Sequence, residues 1–213
     1  MSKKLFAEFL GTFTLIFLGA GAIVSGKADL AGVAFAHGLA IFVMVSALAG
    51  ISGAHFNPAV SAAMFVTKKI CGQDFLYFVF AQLAGAAVAS LALNYIYGDG
   101  NGYGLPSIAE GTSVGAGVLA EILGTALLLF VIFGVAVDKR SVASSHPGLP
   151  IGLTITAVIF SVGPITGAAL NPARWFGPAI VSGDWTNAWV YIFAPIAGAV
   201  LAALTYQALA KPE

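Results

Sequence analysis

The stretch Gly53-Ala54-His55-Phe56-Asn57-Pro58-Ala59 has a second copy, Gly167-Ala168-Ala169-Leu170-Asn171-Pro172-Ala173, at an offset of 114. In both copies Asn stands directly before Pro. Asn is a strong N-cap, because its side-chain oxygen accepts from N–H groups of the first turn. Pro suits the first helical position, where its missing N–H would be unpaired anyway. Asn57-Pro58 and Asn171-Pro172 therefore each predict the start of a helix. The apolar pieces that follow, about 57–68 and about 171–182, are too short to cross ~30 Å of hydrocarbon. Behind Gly-containing loops they predict re-entrant half-helices, which a bilayer tolerates only where they are buried in protein or line a cavity.

The repetition extends outward from these loops. Ala7-Glu8-Phe9-Leu10-Gly11-Thr12 recurs as Ala120-Glu121-Ile122-Leu123-Gly124-Thr125, and Ala81–Ala89 recurs as Ala194–Ala202, both at 113. Gly38-Leu39 matches Gly152-Leu153 at 114. Six apolar stretches, about 5–25, 30–50, 74–97, 115–137, 149–164 and 187–209, are candidate spans. Two halves, about 1–98 and about 114–213, then carry three spans and one short segment each. Three is odd, so the second half enters the membrane from the opposite face. Such inverted repeats place a solute site near the midplane, between the halves. The predicted fold is all-α integral membrane: six transmembrane helices plus two re-entrant half-helices in an inverted repeat, one channel domain over 1–213. Ala7/Gly11, Ala81/Gly85, Ala120/Gly124 and Ala194/Gly198 are small-xxx-small pairs that allow close helix approach.

Composition agrees. Of 213 residues, 59% are hydrophobic and only 8% charged, against about a quarter charged in soluble domains. Nine Lys and Arg balance nine Asp and Glu, which leaves no basic footprint for nucleic acid. The lone Cys71 allows neither an internal disulfide nor a cysteine zinc site. Lys3-Lys4 before an apolar run has the outline of a signal peptide, but Glu8 lies inside that run and the segment recurs, so it reads as a retained first span. Lys3, Lys4, Lys68, Lys69, Lys139, Arg140 and Lys211 fall on one side of a six-span layout, and Lys27 in a connecting loop on the other. The positive-inside bias then makes both termini cytoplasmic. The outer loop 98–114, with Asp99, Glu110 and several glycines, has no phosphate-loop spacing and is given no nucleotide role.

The Asn pair carries the chemistry. If each Asn oxygen is held by its own helix, the amide NH₂ is left as a donor into a pore. Two opposed helix N-termini also put positive dipole ends at the midplane. A water there turns its oxygen to both amides and cannot keep hydrogen bonds to both neighbouring waters, so a proton wire breaks. Cations meet an unfavourable potential. The predicted object is a pore for small neutral solutes.

With six spans, two AE(F/I)LGT segments, SGAHFNPAV over 52–60 and TGAALNPAR over 166–174, the whole chain resembles the aquaporin (major intrinsic protein) family. The resemblance implies a homotetramer in which each protomer has its own pore. It implies a midplane made by Asn57, Pro58, Ala59, Asn171, Pro172 and Ala173, and a selectivity filter made by His37, Ile159, Ala168 and Arg174. Water-selective relatives usually have Phe at the first filter position and His at the second. Ile159 makes that wall apolar and wider, and His37 supplies a polar edge and a candidate pH-sensitive group. Such a filter resembles that of plant vacuolar members that pass water and in some cases ammonia or urea. Ala179 and Tyr191 are water-channel-like, Ile192 is facilitator-like, and Trp175 fits neither pattern. The balance favours a water channel, with a broader glycerol, urea or ammonia facilitator as the alternative.

Glu8 and Glu121 lie within spans, where carboxylates default to functional roles. A proton-coupled transporter is therefore a second alternative, though neither helix carries an Asp, His or Lys relay beside its Glu. The family reading makes Glu8 and Glu121 acceptors for the re-entrant loops, and His55 a loop-bracing or vestibule residue. A third alternative is a structural membrane-junction protein on the same fold. No nucleophile–base pair or metal cluster stands out, so no enzyme, metal or cofactor is expected. Short termini and the lack of an Asn-x-Ser/Thr sequon suggest a prokaryotic inner membrane.

Overall fold

A computed structural model describes residues 1–98, 101–141 and 145–210; Asp99 and Lys211 lie outside the described residues. Among the described residues, six helices are long and apolar enough to cross a membrane: α1 Ser2–Val24, α2 Leu30–Ser52, α4 Gly72–Tyr97, α5 Val114–Val137, α6 Gly148–Thr166 and α8 Ala188–Leu209. Two short helices, α3 Pro58–Val66 and α7 Pro172–Ser182, are the expected half-helices. The fifth span is longer than its sequence suggested. Pro164 lies inside its last turn without ending it, and Gly167 in the left-handed region (φ 78°) stops the helix. Gly53 (φ 94°) ends α2 in the same way, so both re-entrant loops leave their spans through one kind of turn.

Local signals account for the other ends. Asp29 caps α2 by accepting from Gly32 N–H (2.8 Å), and Ser113 caps α5 by accepting from Ala116 N–H (3.2 Å). Cys71 caps α4, its Sγ accepting from Asp74 N–H at 3.4 Å.

The packing shows the repeat in three dimensions. α1 packs on α4 as α5 packs on α8, and α2 packs on α6 across the halves. The half-helices cross over: α3 packs chiefly on α8 of the second half and α7 on α4 of the first. Close approach of helix backbones needs the matched Gly85 and Gly198, while Gly11 and Gly124 make room for the loop side chains Phe56 and Leu170. A Cβ at Gly85 would collide with the Phe9 carbonyl, and one at Gly198 with the Ile122 carbonyl. The exterior is apolar, with Phe80, Leu127 and Leu201 exposed, while Glu8, Glu121, Asn57, Asn171 and Arg174 are buried. That inversion suits lipid as the solvent.

Candidate functional site

Each re-entrant loop hangs from one buried carboxylate. Glu8 Oε1 accepts from Ser52 Oγ (2.6 Å) and His55 N–H (3.0 Å), and Oε2 from Phe56 N–H (2.7 Å) and Gln82 Nε2 (2.7 Å). Glu121 Oε1 accepts from Thr166 Oγ1 (2.6 Å) and Ala169 N–H (2.9 Å), and Oε2 from Leu170 N–H (2.8 Å). The loops need such anchors because Ala54, Phe56, Ala168 and Leu170 all have positive φ, between 46° and 54°. Non-glycine residues there cost of order 1–3 kcal/mol each and persist only when surrounding bonds impose them.

The two Asn-Pro starts meet. Asn57 Oδ1 accepts from Ala59 N–H (2.8 Å), and Asn171 Oδ1 from Ala173 N–H (2.9 Å) and Arg174 N–H (3.3 Å). Each amide nitrogen then reaches across: Asn57 Nδ2 donates to the Leu170 carbonyl (2.8 Å) and Asn171 Nδ2 to the Phe56 carbonyl (2.9 Å). The sequence reading left the whole NH₂ to the pore. In the fold, one hydrogen of each pair ties the loops together, and one remains.

A cavity of about 370 Å³ runs past this junction and is lined by His37, Asn57, Ile159, Ala168, Asn171 and Arg174. His55 also lines it, with Nδ1 3.0 Å from Ser61 Oγ and its ring edge-on to Phe78 at 5.2 Å. Lys69 and Lys139 line it as well. The rest of the lining is largely aliphatic, including Ile41, Val45, Val60 and Leu128. Few polar partners line this wall, so a solute pays for lost hydration except where the Asn, Arg and carbonyl groups replace it.

Arg174, in the first turn of α7, is 2% exposed. Its Nε donates to His37 Nε2 (3.0 Å) and its Nη1 to the Gly104 carbonyl (2.8 Å). His37 Nδ1 is 2.8 Å from the Val33 carbonyl and must carry the proton there. Nε2 is then a lone-pair acceptor, and the ring is the neutral Nδ1–H tautomer. Ile159 and Ala168, 4% and 3% exposed, share one apolar cluster.

The family model "Major intrinsic protein" matches residues 1–206. The chain belongs to the major intrinsic protein family. It is 40% identical over 210 residues to Aquaporin NIP1-1 of Zea mays, covering 96% of this chain and 74% of that one. It is 40% identical over 216 residues to Glycerol uptake facilitator protein-like 6 of Lactiplantibacillus plantarum, covering 99% of this chain and 100% of that one. The solved aquaglyceroporin of Plasmodium falciparum superposes with a TM-score of 0.88 at 30% identity, over 96% of this chain and 95% of that one. Major intrinsic proteins are passive channels rather than enzymes, so this is a multi-pass channel protein for water or small solutes.

Several residues escaped the sequence reading. Ser52 and Thr166 stand at matched positions of the two loops, and that match was a usable signal. Besides bonding the carboxylates, each hydroxyl accepts an N–H of its loop, from Ala54 at 3.0 Å and Ala168 at 3.1 Å. Gln82 also donates to Ser61 Oγ (3.0 Å); its counterpart at 113 is Pro195, so this polar network belongs to the first half alone. In the second half Trp175 stacks on Tyr191 at 5.6 Å, and the Tyr191 hydroxyl donates to the Thr166 carbonyl (3.0 Å). Gly104 lies outside both repeats, in the loop given no role, and nothing local marks it.

Proposed function

We propose that the chain is a single channel domain over 1–213, built from halves of about 1–98 and about 114–213, that conducts water in single file and excludes protons and ions. Asn57, Pro58, Ala59, Asn171, Pro172 and Ala173 form the midplane. His37, Ile159, Ala168 and Arg174 form the filter, and Glu8, Glu121 and His55 brace the loops. The observation that carries this reading is a cavity lined by Asn57, Asn171 and all four filter residues. Each Asn amide keeps one hydrogen free, and a water that turns its oxygen to both cannot pass a proton along the file. Arg174 repels cations, because a guanidinium stays charged. The protein acts in a prokaryotic inner membrane as a homotetramer, which the family resemblance implies, with both termini cytoplasmic, which the positive-inside bias supports.

A broader reading for glycerol, urea or ammonia has one specific support, the aliphatic Ile159 against Ala168 in the filter. Stopped-flow light scattering on proteoliposomes separates the two. Fast shrinkage under sucrose with slow re-swelling in glycerol and urea is the expected result. Rapid re-swelling replaces it with the broader facilitator, and no acceleration over empty vesicles from folded protein overturns both.

A further inference from the structure

One turn of α1, Ile16–Ala20, is π-helical, between α-helical stretches Ser2–Leu15 and Gly21–Val24. Such turns are rare and cluster at functional sites. Two buried residues of this turn lie beneath the partners of Arg174. A Cβ at Gly19 would stand 2.5 Å from Cδ2 and 2.7 Å from Cγ and Nε2 of His37. A Cβ at Gly104, which has φ 68°, would stand 3.0 Å from the Ala20 Cβ. His37 and Gly104 are the residues that accept from Arg174 Nε and Nη1. None of the four filter positions lies on α1.

We infer that the π turn of α1 is the shelf that positions the filter, with Gly19 as the positioning residue that lets the His37 ring lie back far enough to hold Arg174. The inference rests on the filter assignment above. The His37 ring is pinned at Nδ1 by the Val33 carbonyl and at Nε2 by Arg174, and it lies between Gly19 and the cavity it lines. A methyl group at position 19 must push the ring away from α1 and into the opening. Ordinary carbon contacts need ~3.5 Å or more, so the ring moves by about an ångström, and the Arg174 Nε bond stretches or breaks. The opening narrows. Removing the ring has the opposite effect, and once it is gone a methyl at 19 has nothing to push.

The test is a four-protein cycle in proteoliposomes: wild type, Gly19→Ala, His37→Ala and the double variant, each measured for water and glycerol permeability. Gly19→Ala is expected to lower the glycerol-to-water ratio severalfold, His37→Ala to raise it, and the double variant to match His37→Ala. A ratio that stays at wild type in Gly19→Ala while His37→Ala shifts it overturns this inference alone, as does a double variant in which the two effects simply add. An unchanged ratio in His37→Ala overturns the filter assignment and the inference with it. If Gly19→Ala does not fold, the double variant decides: recovered folded yield supports the clash with His37, and continued misfolding overturns it.

Discussion

Glu8 accepts from four groups and Glu121 from three, and all but the Gln82 amide belong to the turns leading to the Asn-Pro pairs. Both carboxylates are fully buried, so deleting one strands several donors with no water to replace it. Each stranded group costs about 1–3 kcal/mol. Glu8→Ala is therefore expected to abolish monodisperse folded protein on size-exclusion chromatography in detergent. Glu8→Gln should fare little better, because its NH₂ would face N–H donors. Loss of a proton-dependent uptake from normally folded Glu8 variants would instead favour the transporter alternative. Tyr191→Phe is a milder case. It removes one hydroxyl that donates to a backbone carbonyl, and about 1 kcal/mol of stability should go, seen as a lower melting temperature with unchanged water permeability. At the proposed filter, Ile159→His should place a polar ring where the wall is aliphatic and reduce the glycerol-to-water ratio in stopped-flow assays.

Among the elements, helix contacts are set by where a side chain is missing. α4 meets α1 at Gly85 and α8 meets α5 at Gly198, each over a backbone carbonyl. A carbonyl on a neighbouring helix cannot swing aside as a side-chain end can. Gly85→Val and Gly198→Val are each expected to remove folded protein from the membrane fraction. Gly50 has nothing within 4 Å of an added Cβ, and Gly50→Ala should be neutral or gain up to about 1 kcal/mol from helix propensity. The end of α5 is tied differently. Asp138 accepts from Arg140 Nη2 (2.6 Å) and from the Tyr206 hydroxyl of α8 (3.0 Å). The Arg140 side chain, then its N–H, holds the Asp138 carboxyl well below the usual carboxylate range. A depressed folded value means the tie contributes above the unfolded pKa of about 3.9 and is lost as pH falls through the lower folded value. Tryptic cleavage after Lys139 or Arg140 should therefore be flat from about pH 6 to 8 after correction for trypsin's own profile, and faster throughout in Asp138→Asn.

At the scale of the molecule, the two proposed halves interlock. α3 rests on α8 and α7 on α4, and the Asn57–Leu170 and Asn171–Phe56 bonds cross between the halves. Residues about 1–98 and about 114–213, expressed as separate chains, are expected to accumulate as folded protein only together. Co-purification of a tagged half with its partner, and recovery of water permeability, would be the readouts. Stable accumulation of either half alone would argue against the two-half construction of the channel domain. The halves also differ in character. The first buries the polar chain Glu8–Gln82–Ser61–His55, and the second buries the Trp175–Tyr191 stack.

Much of this was readable without coordinates because it depends on short-range patterns. Span length, the Asn-Pro helix starts, the odd number of spans per half and the matched blocks follow from hydropathy, capping and self-similarity, and these determine the topology. Of the matched glycines, Gly85 and Gly198 marked where helix backbones touch, whereas Gly11 makes room for Phe56 and Gly124 for Leu170, both on the re-entrant loops. What the linear chain could not carry was the set of contacts between segments far apart in it. His37 and Arg174 are 137 residues apart and Gly104 belongs to neither repeat, yet the three form one hydrogen-bonded unit. Gly38 beside His37 turned out to face Gly152 and Thr156 of α6, while the ring rests on Gly19 of α1. The amide hydrogens of Asn57 and Asn171 were divided between loop and pore only once the opposite loop's carbonyl came within 2.8–2.9 Å. The sequence determined which groups sit at membrane depth, where burial obliges them to find partners; the tertiary structure alone decided which partners they found, because that choice depends on how two distant halves close on each other.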